Sequence, residues 1–151
     1  GPNHEETACL IGVSEYFDNL FNHHFPNSKK NLRNKIEIIN QLINKHEEKL
    51  TNIFLNFLIT KRNVKIIGKK NCYNKNRAPT ISFIDKNKSS KEICDHLVKH
   101  NIGIRNGNFY AWRILKALNI DQEDGVVRVS MVHYNTEEDI NALIKIIDTI
   151  L

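Results

Sequence analysis

The chain lacks the usual means of stapling or anchoring a small protein. Its cysteines are Cys9, Cys72 and Cys94, an odd number with no Cys-x-x-Cys pair. That argues against a disulfide framework and against a structural zinc site. No uninterrupted apolar run reaches transmembrane length, and no charged-then-apolar segment opens the chain as a signal peptide would. Internal repeats are absent as well. Neither a His-x-x-x-His pair nor a cluster of histidines and acids at ligand spacing on one helix is expected, and the adjacent His23 and His24 point to different faces. A small metal enzyme is therefore the weakest functional class. Cys9 and Cys94 fall on apolar helix faces, where a reduced, buried thiol is expected. This suggests a reducing, intracellular compartment.

What is present is a soluble-type composition of 151 residues, with 40% hydrophobic and 26% charged residues. That length suits one domain with a real core. Gly1-Pro2 reads equally well as a protease scar or as native sequence. The formal net charge is +5, and the excess lies in the Asn/Lys-rich middle. Lys69, Lys70, Lys75, Lys86 and Lys88 occupy turn-like segments with little aromatic interleaving. They read as a solvated surface in preference to a nucleic-acid site.

Apolar periodicity predicts a helix over 5–22, with Leu10, Val13, Phe17, Leu20 and Phe21 on one face and Asn3 as its cap. A long helical pattern follows over 28–60, with a kink or break expected near 45–49. Short strands are predicted at 64–67, 79–85, 102–105 and 126–132. Ser89 or Ser90 starts a helix to about His100, with Ile93, Leu97 and Val98 inward. A short helix covers 111–118 and buries Ile114, Leu115 and Leu118. Thr136 caps the last helix, whose inner face is Ile140, Leu143, Ile144, Ile147 and Leu151. The order predicts an α+β fold, a small, largely antiparallel sheet with helices mainly on one face. The helical part is 3–60 and the α+β part 61–151, together one domain.

Arg128 stands among valines at 127, 129 and 132. A guanidinium in an apolar strand is costly unless an anion or a hydrogen-bond network satisfies it. Its planar fork fits a carboxylate with two parallel bonds. On the residue pattern alone an internal ion pair to Asp or Glu is the favoured partner, and a substrate carboxylate is the other. The stretches Ala78-Pro-Thr-Ile-Ser-Phe83, Gly103-Ile-Arg105, Asn108-Phe-Tyr-Ala111 and Arg128-Val-Ser-Met-Val-His-Tyr-Asn-Thr-Glu-Glu-Asp139 occur in this order. Together with the opening Asn3-His-Glu5 they resemble the C-terminal domain of class V aminotransferases. These are fold-type-I pyridoxal-phosphate enzymes, and the likeness is greatest to the cysteine-desulfurase-like branch. It is weakest from about Asn27 to Lys75.

The resemblance implies that Arg128 holds a substrate carboxylate and that Arg105 lines the active-site entrance. For Arg105 an ordinary strand-end charge is an equal reading. It also implies that the cofactor-bearing lysine, in a Ser-x-His-Lys context, belongs to a large domain absent here, because no His-Lys pair occurs in the chain. The chain is then a C-terminal piece, catalytically incomplete and without bound pyridoxal phosphate of its own. The intact enzyme would act on an amino acid as a homodimer, with no nucleic acid or membrane partner.

One departure concerns Tyr110. The desulfurase loop is Arg-x-Gly-x-x-Cys-Ala, and its cysteine takes sulfur as a persulfide. Here the loop is Arg105-Asn-Gly-Asn-Phe-Tyr-Ala111. Tyrosine cannot become a persulfide, so Asn108, Phe109 and Tyr110 are expected to shape a substrate pocket or a dimer contact. His133, Tyr134 and Asn135 either orient Arg128 or form a polar turn. The competing reading is a free-standing, non-catalytic basic interaction module.

Overall fold

Two side-chain oxygens start the first two helices. Asn3 accepts the Glu6 backbone N–H and begins α1 (His4–His24). Asn31 accepts the Asn34 N–H at 2.9 Å and begins α2 (Leu32–Ile59), four residues later than Ser28. The computed structural model describes residues 1, 3–73 and 76–151; Pro2 and Lys75, named above, lie outside the described residues. The remaining elements are β1 (Val64–Ile67), β2 (Thr80–Asp85), α3 (Ser90–Val98), β3 (Arg105–Gly107), α4 (Trp112–Ala117), β4 (Val126–Ser130) and α5 (Glu137–Ile147). No break interrupts α2 at residues 45–49.

The chain divides into two compact units, Gly1–Lys45 and His46–Leu151. In the first, Phe21 and Ile39 are buried. Lys35 lies over the Phe21 ring and reaches Asp18 at 2.5 Å, which holds that carboxyl below its ordinary range. The expected apolar face of α1 is largely solvent-facing. Leu10 and Val13 are exposed, and so is Cys9, contrary to the buried thiol expected there. Helical spacing shows which residues share a face, but burial needs a neighbour, and α1 buries only Phe21.

The second unit holds a four-stranded antiparallel sheet in the order β1-β2-β4-β3. One sheet face carries Ile66, Ile81, Phe83, Val127 and Val129. These pack with Leu50, Phe54, Leu55 and Leu58 of α2, with Ile93 and Leu97 of α3, and with Ile140, Leu143 and Ile147 of α5. Each such side chain contributes about 1.5–3 kcal/mol of burial. The fold is the α+β arrangement expected, with helices mainly on one face. On the opposite sheet face, Val126, Ile67 and Ile84 pack with Leu115, Ile120 and Phe109 in a smaller cluster.

Several boundaries differ from the sequence reading. The strand placed at 102–105 is β3 at Arg105–Gly107, because its register pairs Arg105 with Arg128 and Gly107 with Val126. Ile102 and Ile104 instead approach the main core from an extended connection. Helix α3 ends at Val98, which is exposed, and β4 ends at Ser130 with Val132 half-buried. In α4, Leu115 is buried while Ile114 and Leu118 are exposed, because a helix of six residues offers the sheet little more than one side chain.

Candidate functional site

The pleat settles the position of Arg128. Val127 and Val129 point into the main core, so Arg128 between them points to the opposite face, and it is half-buried there. The guanidinium is therefore not inside an apolar core, and the burial cost inferred from its valine neighbours does not arise. Register supplies its companions. Arg128 pairs across β4–β3 with Arg105 and across β4–β2 with Ser82. Directly opposed residues in antiparallel strands carry their Cβ atoms on one face, roughly 5 Å apart. Ser82, Arg128 and Arg105 thus form a row across three strands.

Like charges placed opposite one another repel. Among the described residues, the ion pairs join Arg33 to Glu37, Lys35 to Asp18, Lys49 to Glu137, Lys61 to Asp148 and Lys91 to Asp95. Neither Arg105 nor Arg128 has a carboxylate partner there, so the internal ion pair favoured by sequence pattern is not formed. The partner of Arg128 is an aromatic ring: its guanidinium carbon lies 3.9 Å from the Phe109 ring centroid.

Phe109 belongs to the loop between β3 and α4. Two consecutive residues there, Phe109 at φ 50° and Tyr110 at φ 60°, adopt the left-handed region, which is strained for bulky side chains. Asn108 supports the loop by accepting the Tyr110 N–H at 3.0 Å. Tyr110 is 97% exposed. The loop also depends on a close backbone approach. A Cβ at Gly125 would lie 2.1 Å from the Gly107 carbonyl carbon and oxygen, and Gly125 has φ 70°. Only glycine fits.

His133 lies in the turn after β4. Its backbone N–H bonds the Glu47 carboxylate, and its ring meets that of Tyr134 at 5.5 Å. Burial raises the Glu47 carboxyl above its ordinary range, and His133 and His46 oppose that shift. His46 Nε2 contacts the Asn135 carbonyl at 2.8 Å, so α2 holds this turn at two points. A sequence gives no signal for such contacts between residues nearly ninety positions apart, and His46, Glu47 and Ser82 were not candidates.

One pair departs from the expectation of no histidine spacing. His96 and His100 stand four residues apart, with ring centroids at 5.2 Å. Helix α3 ends before His100, and His96 Nε2 contacts Thr149 Oγ1 at 3.0 Å. Among the described residues no three ligands are grouped to hold a metal.

A groove of about 570 Å³ opens between α5 and the 100–104 connection, lined by Ile102, Ile104, Met131, Ile140, Leu143 and Asp139 among others. No lysine lines it. On the arginine face, register places Lys65 on β1, a strand that does not adjoin β4. Among the described residues, the groove and the arginine face therefore do not complete a pyridoxal-phosphate site: they offer cations and a hydroxyl for an anion.

Residues 30–143 match the aminotransferase class-V family. An aminotransferase-like protein of Gibberella zeae is 34% identical over 111 residues, covering 72% of this chain and 27% of that protein. A cysteine desulfurase-like protein of Aspergillus flavus is 30% identical over 113 residues, covering 71% and 25%. The apo cysteine desulfurase of Thermococcus onnurineus superposes with a TM-score of 0.68 at 25% identity, covering 79% of this chain and 28% of the other. The cysteine desulfurase CsdA of Escherichia coli shares the fold, with a TM-score of 0.59 at 20% identity over 70% and 24% of the two chains. The chain thus spans about a quarter of the length of the relatives it matches. The antiparallel sheet, the ordered motifs and the match over residues 30–143 agree: this chain belongs to the class V aminotransferase family, as a cysteine-desulfurase-like domain.

Proposed function

We propose that this chain is the C-terminal, smaller domain of a pyridoxal-phosphate enzyme acting on an amino acid, and that Arg128 receives the substrate carboxylate. One observation carries the reading. Arg128 and Arg105 oppose each other on one sheet face with no carboxylate partner among the described residues. An anionic ligand relieves that repulsion, and a planar carboxylate matches the fork. Arg105, exposed at the sheet edge, lines the entrance, with Asn108 and Tyr110 on the loop that follows its strand; His133 lies beyond the other end of β4, against α2. The intact enzyme is a homodimer in a reducing, intracellular compartment, which accords with the free, buried thiols of Cys72 and Cys94.

The chain alone turns over nothing, because the lysine that bonds the cofactor lies elsewhere in the complete enzyme. The purified chain mixed with pyridoxal phosphate should show no lasting absorbance band of a lysine adduct and no amino-acid turnover. Turnover by the chain itself would refute this. In the complete enzyme Arg128→Ala should raise KM for the amino acid by one to two orders of magnitude, the loss expected for a charge-assisted contact of about 1.5–3 kcal/mol. An unchanged KM would remove Arg128 from the site. Tyr110 cannot carry sulfane sulfur, so the enzyme works without a persulfide on this loop. Sulfur labelling during turnover that marks Cys72 or Cys94 would show another acceptor and defeat that part.

A further inference from the structure

We infer that Phe109 is a positioning residue for the anion site, a platform that holds Arg128 with its fork edge open to a planar carboxylate. The inference rests on reading Arg128 as a carboxylate receptor, and it assigns that receptor its orienting partner. A guanidinium has two weakly hydrated faces and an edge that bears all five N–H donors. Stacking uses a face and leaves the donors free. The Arg128 guanidinium carbon lies over the Phe109 ring, 3.9 Å from its centroid, a separation that suits such face contact.

The platform is itself held from three directions. Phe109 packs beside the buried Leu115, Ile120 and Val126. Its backbone and that of Tyr110 take positive φ, an arrangement that persists only where surroundings enforce it. That reversal separates the two aromatic rings: Phe109 lies against Arg128, while Tyr110 is 97% exposed. The Asn108 side chain closes the loop on the Tyr110 N–H. Strained backbone spent on placing one ring under one cation is the pattern of a preorganised site, in which less side-chain freedom remains to be lost on binding. Arg105, opposite on β3, has no such ring against it among the described residues, so the two cations differ: one lies over a ring, the other is exposed at the sheet edge.

The experiment uses the 151-residue chain, ¹⁵N-labelled, with acetate as the carboxylate probe at constant ionic strength in chloride. The Arg128 Nε–H resonance should lie upfield from ring current and should shift saturably with acetate. Phe109→Leu should abolish the upfield position and weaken acetate binding roughly fivefold, the scale of a partly desolvated cation–π contact. Phe109→Tyr should retain both. Phe109→Met gives the same comparison if the leucine variant does not fold. Wild-type acetate affinity in Phe109→Leu or Phe109→Met would overturn the inference while leaving the carboxylate reading of Arg128 intact. A ring-shifted Arg128 that ignores acetate in the wild-type chain would overturn both, and would reduce Phe109 to packing.

Discussion

The three cysteines show how one side-chain type takes different chemistry from its surroundings. Cys72 and Cys94 are buried, and burial pushes both thiols up, Cys94 to about 11 with Asp95 and Asp124 adding to the rise. Since the thiolate is the nucleophile, both should be inert at pH 8. Cys9 is exposed on α1. Brief alkylation of the folded chain at pH 8 should therefore modify Cys9 alone, with all three reacting in denaturant. Mass spectrometry of the peptides checks this, and early labelling of Cys94 would contradict its burial. Because the folded thiol of Cys94 is held above its ordinary 9.0, its contribution to stability is full below pH 9 and is lost as pH rises toward 11. The same scale separates Arg128 from Arg105: equal charge, opposed positions, and a ring against only one of them among the described residues.

At the scale of elements, the helix starts follow local chemistry closely. Ser89 with Glu92 and Thr136 with Asp139 form reciprocal caps at α3 and α5. Backbone donors hold both carboxyls below their ordinary range. A carboxyl whose folded value is depressed stabilises above its unfolded value and loses that contribution as pH falls through the folded one. The urea midpoint of the chain should thus fall between pH 5 and pH 2, and it should fall less in the double variant Glu92→Gln, Asp139→Asn. An equal fall in both would show that the caps contribute nothing to the acid limb. Strand pairing rests on a different constraint. Gly125→Ala would drive a methyl into the Gly107 carbonyl at a positive φ, so it should destabilise the chain by about 3 kcal/mol or more. Denaturant unfolding with a midpoint near wild type would show that the two backbones separate easily.

At the scale of the whole molecule, burial is concentrated in His46–Leu151. Four side chains of α2 between Leu50 and Leu58 lie in that core, whereas α1 buries only Phe21. Amide exchange should reflect this difference. Backbone amides of residues 50–58, 81–83 and 127–129 should approach the global opening free energy, and those of residues 8–20 should exchange faster through local fraying. Equal protection in both groups, measured by hydrogen–deuterium exchange, would mean that α1 is held more firmly than its exposed Leu10, Ile11 and Val13 indicate.

The sequence by itself determined the α+β class, the order of elements, the caps at Asn3 and Thr136, a cap at Ser89 or Ser90, and the family likeness. Those features are local: a hydroxyl three residues before an acid, a period of 2 or 3.6, a motif in order. Only the tertiary structure decided which faces meet anything. It left Cys9, Leu10 and Val13 in solvent and moved β3 to Arg105–Gly107. Strand register is a pairing between distant segments, so no local pattern could bring Arg105 and Ser82 to either side of Arg128. The stacking of Phe109 beneath it depends on two left-handed residues and on the meeting of Gly107 with Gly125, which the chain reaches only once the sheet has closed.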